Sequence, residues 1–246
     1  SSDLSLEQSY AAVLGVHDYP PAVANLLGEF IVASTLLSST IKFNGSLSLQ
    51  VSPNCGTGLV MAQCNSSREV RAIARGFEHG DGSGLVEALR DGQLAITIEP
   101  GQGPRYQGVV AFTNTDLAQA LAQYFAQSEQ LATQLWLAAD GKRCAGLLLQ
   151  QLPEQVCTSA QQRSRQWEHA AQLAATLTAT ELLELSADEL LYRLYHQDRV
   201  RHFAPRSVNF RCSCSRERTA AALATLPRVE LRSEEHTSEL QSPDHL

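Results

Sequence analysis

Two cysteines near the end of the chain, Cys212 and Cys214, form the arrangement best suited to chemistry. They lie in residues 210–218, a stretch that also carries three arginines. Positive charge favours the thiolate, which is the form that binds metals and attacks disulfides. Two thiolates at this spacing can bind one soft divalent ion, usually zinc, but zinc prefers four ligands in a tetrahedron. The pattern therefore indicates an incomplete metal or redox site, with two exposed thiols of no special role as the alternative.

The other four cysteines lie in apolar or neutral stretches, and we expect them to behave as small buried hydrophobic side chains. They are Cys55, Cys64, Cys144 and Cys157. The common catalytic signatures are missing from the sequence, among them Gly-x-Ser-x-Gly, His-Glu-x-x-His and a phosphate loop ending in Gly-Lys-Ser/Thr. The seven histidines are dispersed. These observations predict a protein that is not an enzyme.

The composition predicts a globular chain rather than a nucleic-acid or membrane protein. The chain has 246 residues, with 19 basic residues against 26 acidic ones and a net charge of −7. Affinity for phosphates needs a basic footprint, which this balance does not provide. The longest apolar run, residues 30–37, is interrupted and shorter than a membrane span. Residues 1–9 lack the features of a secretory signal, so we expect a cytoplasmic location.

The elements that must position the cysteine pair begin with an N-terminal domain over residues 1–153. Hydrophobic periodicity predicts helices at residues 4–15, 22–40, 84–90 and 116–127. It predicts strands at residues 45–51, 58–64, 69–75, 94–99, 107–112, 134–139 and 144–151. Asp116 is expected to cap its helix, and Asp140-Gly141 predicts a hairpin turn. Because helices and strands do not alternate regularly, the fold class is α+β with a mostly antiparallel sheet.

The composition shifts after residue 153, where residues 155–166 are polar and residues 167–197 have a helical pattern. This pattern predicts a helical linker that extends to about residue 200, with a small terminal unit after it. Two four-residue stretches, 178–181 and 186–189, fit the capping box that begins a helix. Helices this short depend on packing for their stability, which makes the linker a marginal element. Its apolar face is formed by Leu182, Leu183, Leu190, Leu191, Leu194 and Tyr195. Ordinary packing against the core is the simpler interpretation of each of these residues.

Several short stretches of the sequence, taken together, resemble those of one protein family. Only the last of them is specific by itself. They are residues 17–20, 42–45 leading into 47–50, 105–110, 124–125 followed by 128–131, 148–150, 191–196 and 210–218. In this order they resemble the redox-regulated 33-kilodalton heat-shock chaperone family. The resemblance covers most of the chain, from about residue 10 to residue 227.

The resemblance implies a compact core, a metastable helical linker over residues 154–209 and a zinc-binding redox switch, which here is residues 210–231. In this family a Cys-x-Cys pair and a later Cys-x-x-Cys pair hold zinc, and Cys212 and Cys214 match the first pair. Oxidation turns each pair into a disulfide and expels the metal. The linker then unfolds, and its apolar face, the six residues named above, becomes a surface that holds unfolding client proteins without ATP. Family members are also implied to form homodimers when oxidised.

The sequence departs from the family after residue 231. The second cysteine pair is missing, and residues 232–246 match nothing in the family. Residues 232–242 resemble the translation of a sequencing adapter, so we hypothesise that the last 15 residues are a non-native tail. His236 or His245 could donate to zinc in principle, but nothing fixes their geometry. We therefore expect weak zinc binding or none.

An alternative function is binding to RNA or another nucleic acid through the basic stretch 193–218. This stretch has seven arginines, against Asp198 and Glu217 as its acidic residues. A run of charge is usually a solvated face, and the interleaved aromatic residues, such as Tyr195 and Phe203, are few. The holdase interpretation is therefore the stronger of the two.

Overall fold

A computed structural model describes residues 2–40, 44–77, 81–113, 115–128, 130–151, 159–201 and 203–212. The chain divides into two compact units, residues 1–211 and residues 212–246. Only Cys212 of the second unit lies in the described ranges. The helices of the first unit are α1 (Ser2–Leu14), α2 (Pro21–Thr40), α3 (Ser83–Leu89), α4 (Leu117–Ser128), α5 (Ala160–Ala174), α6 (Ala179–Glu184) and α7 (Ala187–Tyr195). Its strands are β1 (Gly45–Ser52), β2 (Leu59–Asn65), β3 (Glu69–Arg75), β4 (Asp91–Pro100), β5 (Tyr106–Thr113), β6 (Thr133–Ala139), β7 (Cys144–Gln150) and β8 (Asn209–Phe210).

The larger sheet has the strand order β5-β4-β1-β2-β3-β8, and the smaller one is the β6–β7 hairpin. Every neighbouring pair is antiparallel except β3–β8, which is parallel. Alternate residues of a strand point to opposite faces, so one face of the larger sheet is apolar. In β1 that face carries Leu47, Leu49 and Val51, each at most 1% exposed. The predicted α+β class with a mostly antiparallel sheet is confirmed.

Helix α2 lies at the centre of the first unit. It packs on β1, β2 and β3 on one side and on the β6–β7 hairpin on the other. A helix that contacts neighbours on several sides is apolar around most of its circumference. Accordingly, α2 buries Leu27, Phe30 and Ile31 completely, together with eight further residues. Gly28 permits the close approach of the hairpin, because a Cβ there would lie 2.5 Å from the Cβ of Ala139.

The same composition makes α2 long and apolar enough to cross a membrane. Among the described residues, this 20-residue helix with a mean hydropathy of 1.4 is the one that meets both criteria. The sequence predicts no such segment, because its apolar runs are short and interrupted. However, 61% of the relevant window is buried inside the fold. The core helix of a globular domain has the same pattern, so α2 is explained by its packing.

The predicted helices and strands are confirmed, with their ends shifted by a few residues. Asp116 caps α4, since its Oδ1 accepts a hydrogen bond from the Gln119 N–H at 2.8 Å. The hairpin turn at Asp140-Gly141 is also confirmed, with Gly141 at a φ of 78°. One prediction is wrong, and one element was not predicted. Cys55 is exposed rather than buried, and the short strand β8 was not foreseen.

Candidate functional site

The linker helices α6 and α7 begin at the two capping boxes that the sequence predicts. The Thr178 hydroxyl accepts from the Glu181 N–H at 3.2 Å, and the Thr178 N–H donates to the Glu181 carboxylate at 3.0 Å. Ser186 and Glu189 repeat this exchange at 3.3 and 3.0 Å. Each box satisfies backbone donors that a helix start leaves without partners. Local sequence therefore fixes where both helices begin.

Packing of α6 and α7 on the β6–β7 hairpin forms a second hydrophobic cluster, apart from the main core. Its most buried members are Leu182, Leu190 and Leu194 from the helices and Ala138 from β6, each 4–6% exposed. The partly buried members are Trp136, Ala145, Leu147, Leu177, Leu183, Leu185 and Tyr195. Because this cluster is small, the docking of the linker helices depends on a few side chains.

Polar contacts add little to this docking. Arg193 on α7 forms an ion pair with Glu181 on α6 at 2.6 Å, and Arg143 beside the hairpin approaches Glu184 at 3.9 Å. The Tyr195 hydroxyl donates to a carbonyl of α5 at 3.0 Å. Ion pairs on a solvated surface contribute only about 0–1 kcal/mol each. The apolar cluster is therefore the main force that holds α6 and α7 in place.

A cleft of about 950 Å³ lies between the linker helices and the core. One wall is apolar and comes from α6, α7 and β7. It is formed by Leu182, Leu183, Leu185, Leu190, Leu191, Ala145 and Leu147. The remaining lining includes polar side chains, among them Ser38, Asn65 and Arg68, and apolar ones, among them Leu36 and Val208. The cleft thus combines a largely apolar linker side with a mixed lining from the core.

The six linker residues that the sequence singled out all belong to the lining of this cleft or to the hairpin cluster. Four of them line the cleft, and Leu194 and Tyr195 belong to the hairpin cluster. Their role in client binding stays a prediction. Sequence reasoning did not identify their partners, Trp136 and Leu147, since period-2 patterning predicts a strand but not which element covers it.

Strand β8 ties the end of the first unit to the edge of the larger sheet. The Asn209 N–H donates to the Arg68 carbonyl at 3.0 Å, and the Arg211 N–H donates to the Val70 carbonyl at 3.1 Å. Val208 is only 7% exposed and belongs to the main core, and Phe210 packs against the same core. Cys212 follows Arg211 directly in the chain. The first cysteine of the pair therefore lies two positions after Phe210, the last residue of a strand that is bound to the core.

Side chains hold β8 in addition to its backbone. The Ser9 hydroxyl donates to the Val208 carbonyl at 3.0 Å, and the Arg68 Nε donates to the Ser207 carbonyl at 3.1 Å. Arg211 donates to the Glu69 carboxylate at 2.5 Å. This hydrogen bond, together with one from an asparagine amide, lowers the pKa of Glu69. The alternation of Val208 and Phe210 with polar residues is the signal that could have revealed this strand.

The described thiols fall into two classes. Cys64 and Cys144 are buried, and burial raises the pKa of both thiols, that of Cys144 to about 12. They are therefore protonated at neutral pH and are poor nucleophiles. Cys55 and Cys212 are exposed. Cys214 and Cys157 lie outside the described residues.

The described residues do not fit a complete zinc site. Within the ranges that the structure describes, no group of three or more histidine, cysteine, aspartate or glutamate side chains could hold a metal. Cys212 is the one member of the predicted pair in those ranges. Zinc in a structural site takes four ligands.

The arginines proposed for nucleic-acid binding are partly engaged within the fold. Arg193 and Arg211 form ion pairs with Glu181 and Glu69, and Arg201 lies 4.9 Å from the ring centre of Phe203. These contacts favour an internal role for the arginines that make them. The nucleic-acid hypothesis itself stays a prediction.

Comparison of the sequence with known proteins gives a consistent result. Residues 4–241 match a family model described as Hsp33 protein. A protein named 33 kDa chaperonin from Pseudomonas syringae pv. tomato is 51% identical over 225 residues, which cover 91% of this chain and 75% of the relative. A 33 kDa chaperonin from Azotobacter vinelandii is 51% identical over 229 residues, covering 92% of this chain and 76% of the relative.

Comparison of the structure with solved structures agrees on the fold. The crystal structure of a 33 kDa chaperonin from Thermotoga maritima, described as a heat shock protein 33 homologue, aligns with a TM-score of 0.74. The alignment covers 92% of this chain and 80% of the other, at 19% sequence identity. The two proteins therefore share a fold.

Proposed function

The chain belongs to the Hsp33 family, and on that basis we propose that it is a redox-regulated, ATP-independent holdase chaperone. Its relatives carry the name chaperonin, which implies a role in binding unfolded proteins rather than catalysis. We propose that its partners are unfolding client proteins in the cytoplasm under oxidative stress. We propose also that two copies associate when the chain is oxidised.

The docking of α6 and α7 on the β6–β7 hairpin is the observation that carries this proposal. If the two helices leave the hairpin, Leu182, Leu190 and Leu194 become exposed on one side, and Trp136 and Leu147 on the other. Contiguous exposed apolar surface marks a site of protein interaction. A small cluster that is easily opened thus separates a resting state from a state that binds clients.

The switch that we propose is the oxidation of Cys212 and Cys214. Two electrons pass from the two thiols to hydrogen peroxide, a disulfide forms between the sulfurs, and the thiol protons leave in two molecules of water. The family resemblance adds a zinc ion held by four thiolates, but these 246 residues supply two at the expected positions. Oxidation changes the chain one residue after Arg211, which ends the segment that holds β8 on the sheet.

The metal content of the purified chain tests the incomplete site. We expect much less than one zinc per chain under reducing conditions, because two thiolates leave half of the tetrahedron without protein ligands. Inductively coupled plasma mass spectrometry after dialysis against a weak chelator measures this ratio. The Cys212→Ser variant is the control, and it should not lower the zinc content further. One tightly held zinc per wild-type chain that this variant loses would contradict the expectation.

Light scattering by a heat-unfolding client tests the function. We expect the chain to lower the scattering without ATP, and peroxide to increase the effect by at least several-fold. A double variant, Cys212→Ser with Cys214→Ser, is the control that peroxide should not change. No suppression in either redox state would contradict the holdase function. Equal suppression in both redox states would contradict the redox control but not the holdase function.

A further inference from the structure

Strand β8 occupies a backbone edge that another extended segment could use. In the described residues, β3 pairs with β2 over six positions on one side, but with β8 over only two positions on the other. An open strand edge carries backbone donors and acceptors that readily pair with another chain. In the resting chain, β8 covers this edge at Arg68 and Val70.

We propose that this edge of β3 is a binding site for clients, and that β8 acts as a built-in competitor for it. After β8 leaves, an extended segment of an unfolding polypeptide adds to β3 as a parallel strand in its place. The inference rests on the proposed holdase function and names a site on the core, separate from the apolar face of the linker.

The contacts of β8 show which features an incoming segment needs. The backbone N–H groups of Asn209 and Arg211 donate to the carbonyls of Arg68, directly before β3, and of Val70 in β3. The apolar side chains of Val208 and Phe210 pack on the core. Backbone hydrogen bonds give affinity without regard to sequence, and alternate side chains fill pockets. The site therefore fits any extended segment with apolar residues at positions i and i+2. Segments of this kind are common in unfolded proteins, because period-2 patterning is typical of strands.

The small extent of β8 makes it a suitable competitor. The paired segment is two residues long, and its ion pair between Arg211 and Glu69 is solvent-exposed on the arginine side. Exposed ion pairs stabilise little. Because Cys212 directly follows the last contact, a change at the cysteine pair can act on β8 without acting on the rest of the core. Release of β8 uncovers the edge while β2 and β3 stay paired.

The first part of the test opens the edge by mutation. Asn209→Pro removes the N–H that donates to Arg68, whereas Asn209→Ala keeps it. The probe is fluorescently labelled α-lactalbumin, reduced and carboxymethylated, which is unfolded and has no thiols. Under reducing conditions, the proline variant should bind the probe at least about tenfold more tightly than wild type or Asn209→Ala. Phe210→Ser, which removes a side chain that packs on the core and keeps the backbone donors, serves as a second opening variant should the proline variant not fold.

The second part asks whether the probe uses the edge. Two peptides with the sequence of residues 207–211 compete with it. One is N-methylated at the nitrogens equivalent to Val208 and Phe210, and the other at those equivalent to Asn209 and Arg211. Only the second has lost the donors that face β3. We expect the first peptide to displace the probe and the second to be at least about tenfold weaker.

The outcomes separate this inference from the proposed function. Tight probe binding that both peptides displace equally, or that neither displaces, overturns the edge site and leaves the holdase function standing. No gain in binding by either opening variant also overturns it, provided that oxidised wild type binds the probe. If oxidised wild type fails too, both proposals fall. Should Phe210→Ser form dimers without binding the probe, the edge serves the β8 strand of a second copy, and the client site is overturned.

Discussion

Leu190→Ala should turn the chain into a chaperone that binds clients without an oxidant. Leu190 is 6% exposed and belongs to the small cluster that docks α6 and α7 on the hairpin. Truncating a buried leucine to alanine destabilises its surroundings by about 2–5 kcal/mol. Because few other side chains hold these helices, that loss shifts the docking equilibrium by roughly 30-fold or more toward the undocked state. Binding of labelled, carboxymethylated α-lactalbumin under reducing conditions measures the effect.

Tyr192→Ala is the matched control, because Tyr192 lies on the same helix but is 73% exposed. It should leave binding unchanged, while Leu190→Ala raises it. Undocking should also expose Trp136 on β6, so its fluorescence should shift to longer wavelength. Equal binding by both variants, with the shift present in Leu190→Ala, would show that the linker cluster does not mask a client surface.

The sequence was a good guide to elements that are determined locally. The capping boxes at Thr178 and Ser186 and the turn at Asp140 depend on residues within three or four positions of each other. Such short-range hydrogen bonds can be recognised without knowing the fold. The predicted boundaries of β3, residues 69–75, also match the structure.

Elements that depend on distant partners were predicted less well. Strand β8 has two residues, and it exists because Glu69 and Val70 pair with it across the sheet. Helix α5 begins at Ala160, although sequence reasoning placed helical structure only from Trp167 onward. Its first turns are polar and exposed, so hydrophobic periodicity gave no signal there. The Ser159 cap, which accepts from the Gln162 N–H at 3.3 Å, was the available clue.

The candidate site shows the same contrast between features that depend on local sequence and features that depend on distant partners. Periodicity identified Leu182, Leu190 and Leu194 as an apolar face, and the structure confirms that they are buried. It could not identify Trp136 on β6 as their neighbour, because the pairing of a helix face with a sheet face is decided by chain topology. The spacing of Cys212 and Cys214 likewise indicates that the two thiols act together, in metal binding or in a disulfide. Spacing alone does not predict β8, the strand that precedes this pair in the chain.

Glu29→Gln should stabilise the folded chain above neutral pH by about 2–3 kcal/mol. Glu29 lies on the central helix α2, where burial raises its pKa to about 7, with a smaller contribution from the negative charge of Asp116. An ordinary glutamate titrates near pH 4.3. Below that value the residue is protonated in both states and does not affect stability. As pH rises toward about 7, the unfolded chain releases its proton first, so ionisation progressively destabilises the fold.

The free energy of unfolding in urea at pH 5 and at pH 8 measures this effect. Wild type should lose about 2–3 kcal/mol more than Glu29→Gln between the two values, because glutamine keeps the shape of the side chain without its charge. Glu87→Gln is the control, since Glu87 is 69% exposed on α3 and its pairing with Arg90 at 3.4 Å is worth little. If wild type and Glu29→Gln lose the same stability over this range, the carboxylate does not destabilise the core at neutral pH. A difference confined to Glu29 would instead show that the helix joining the sheet to the hairpin carries an uncompensated charge.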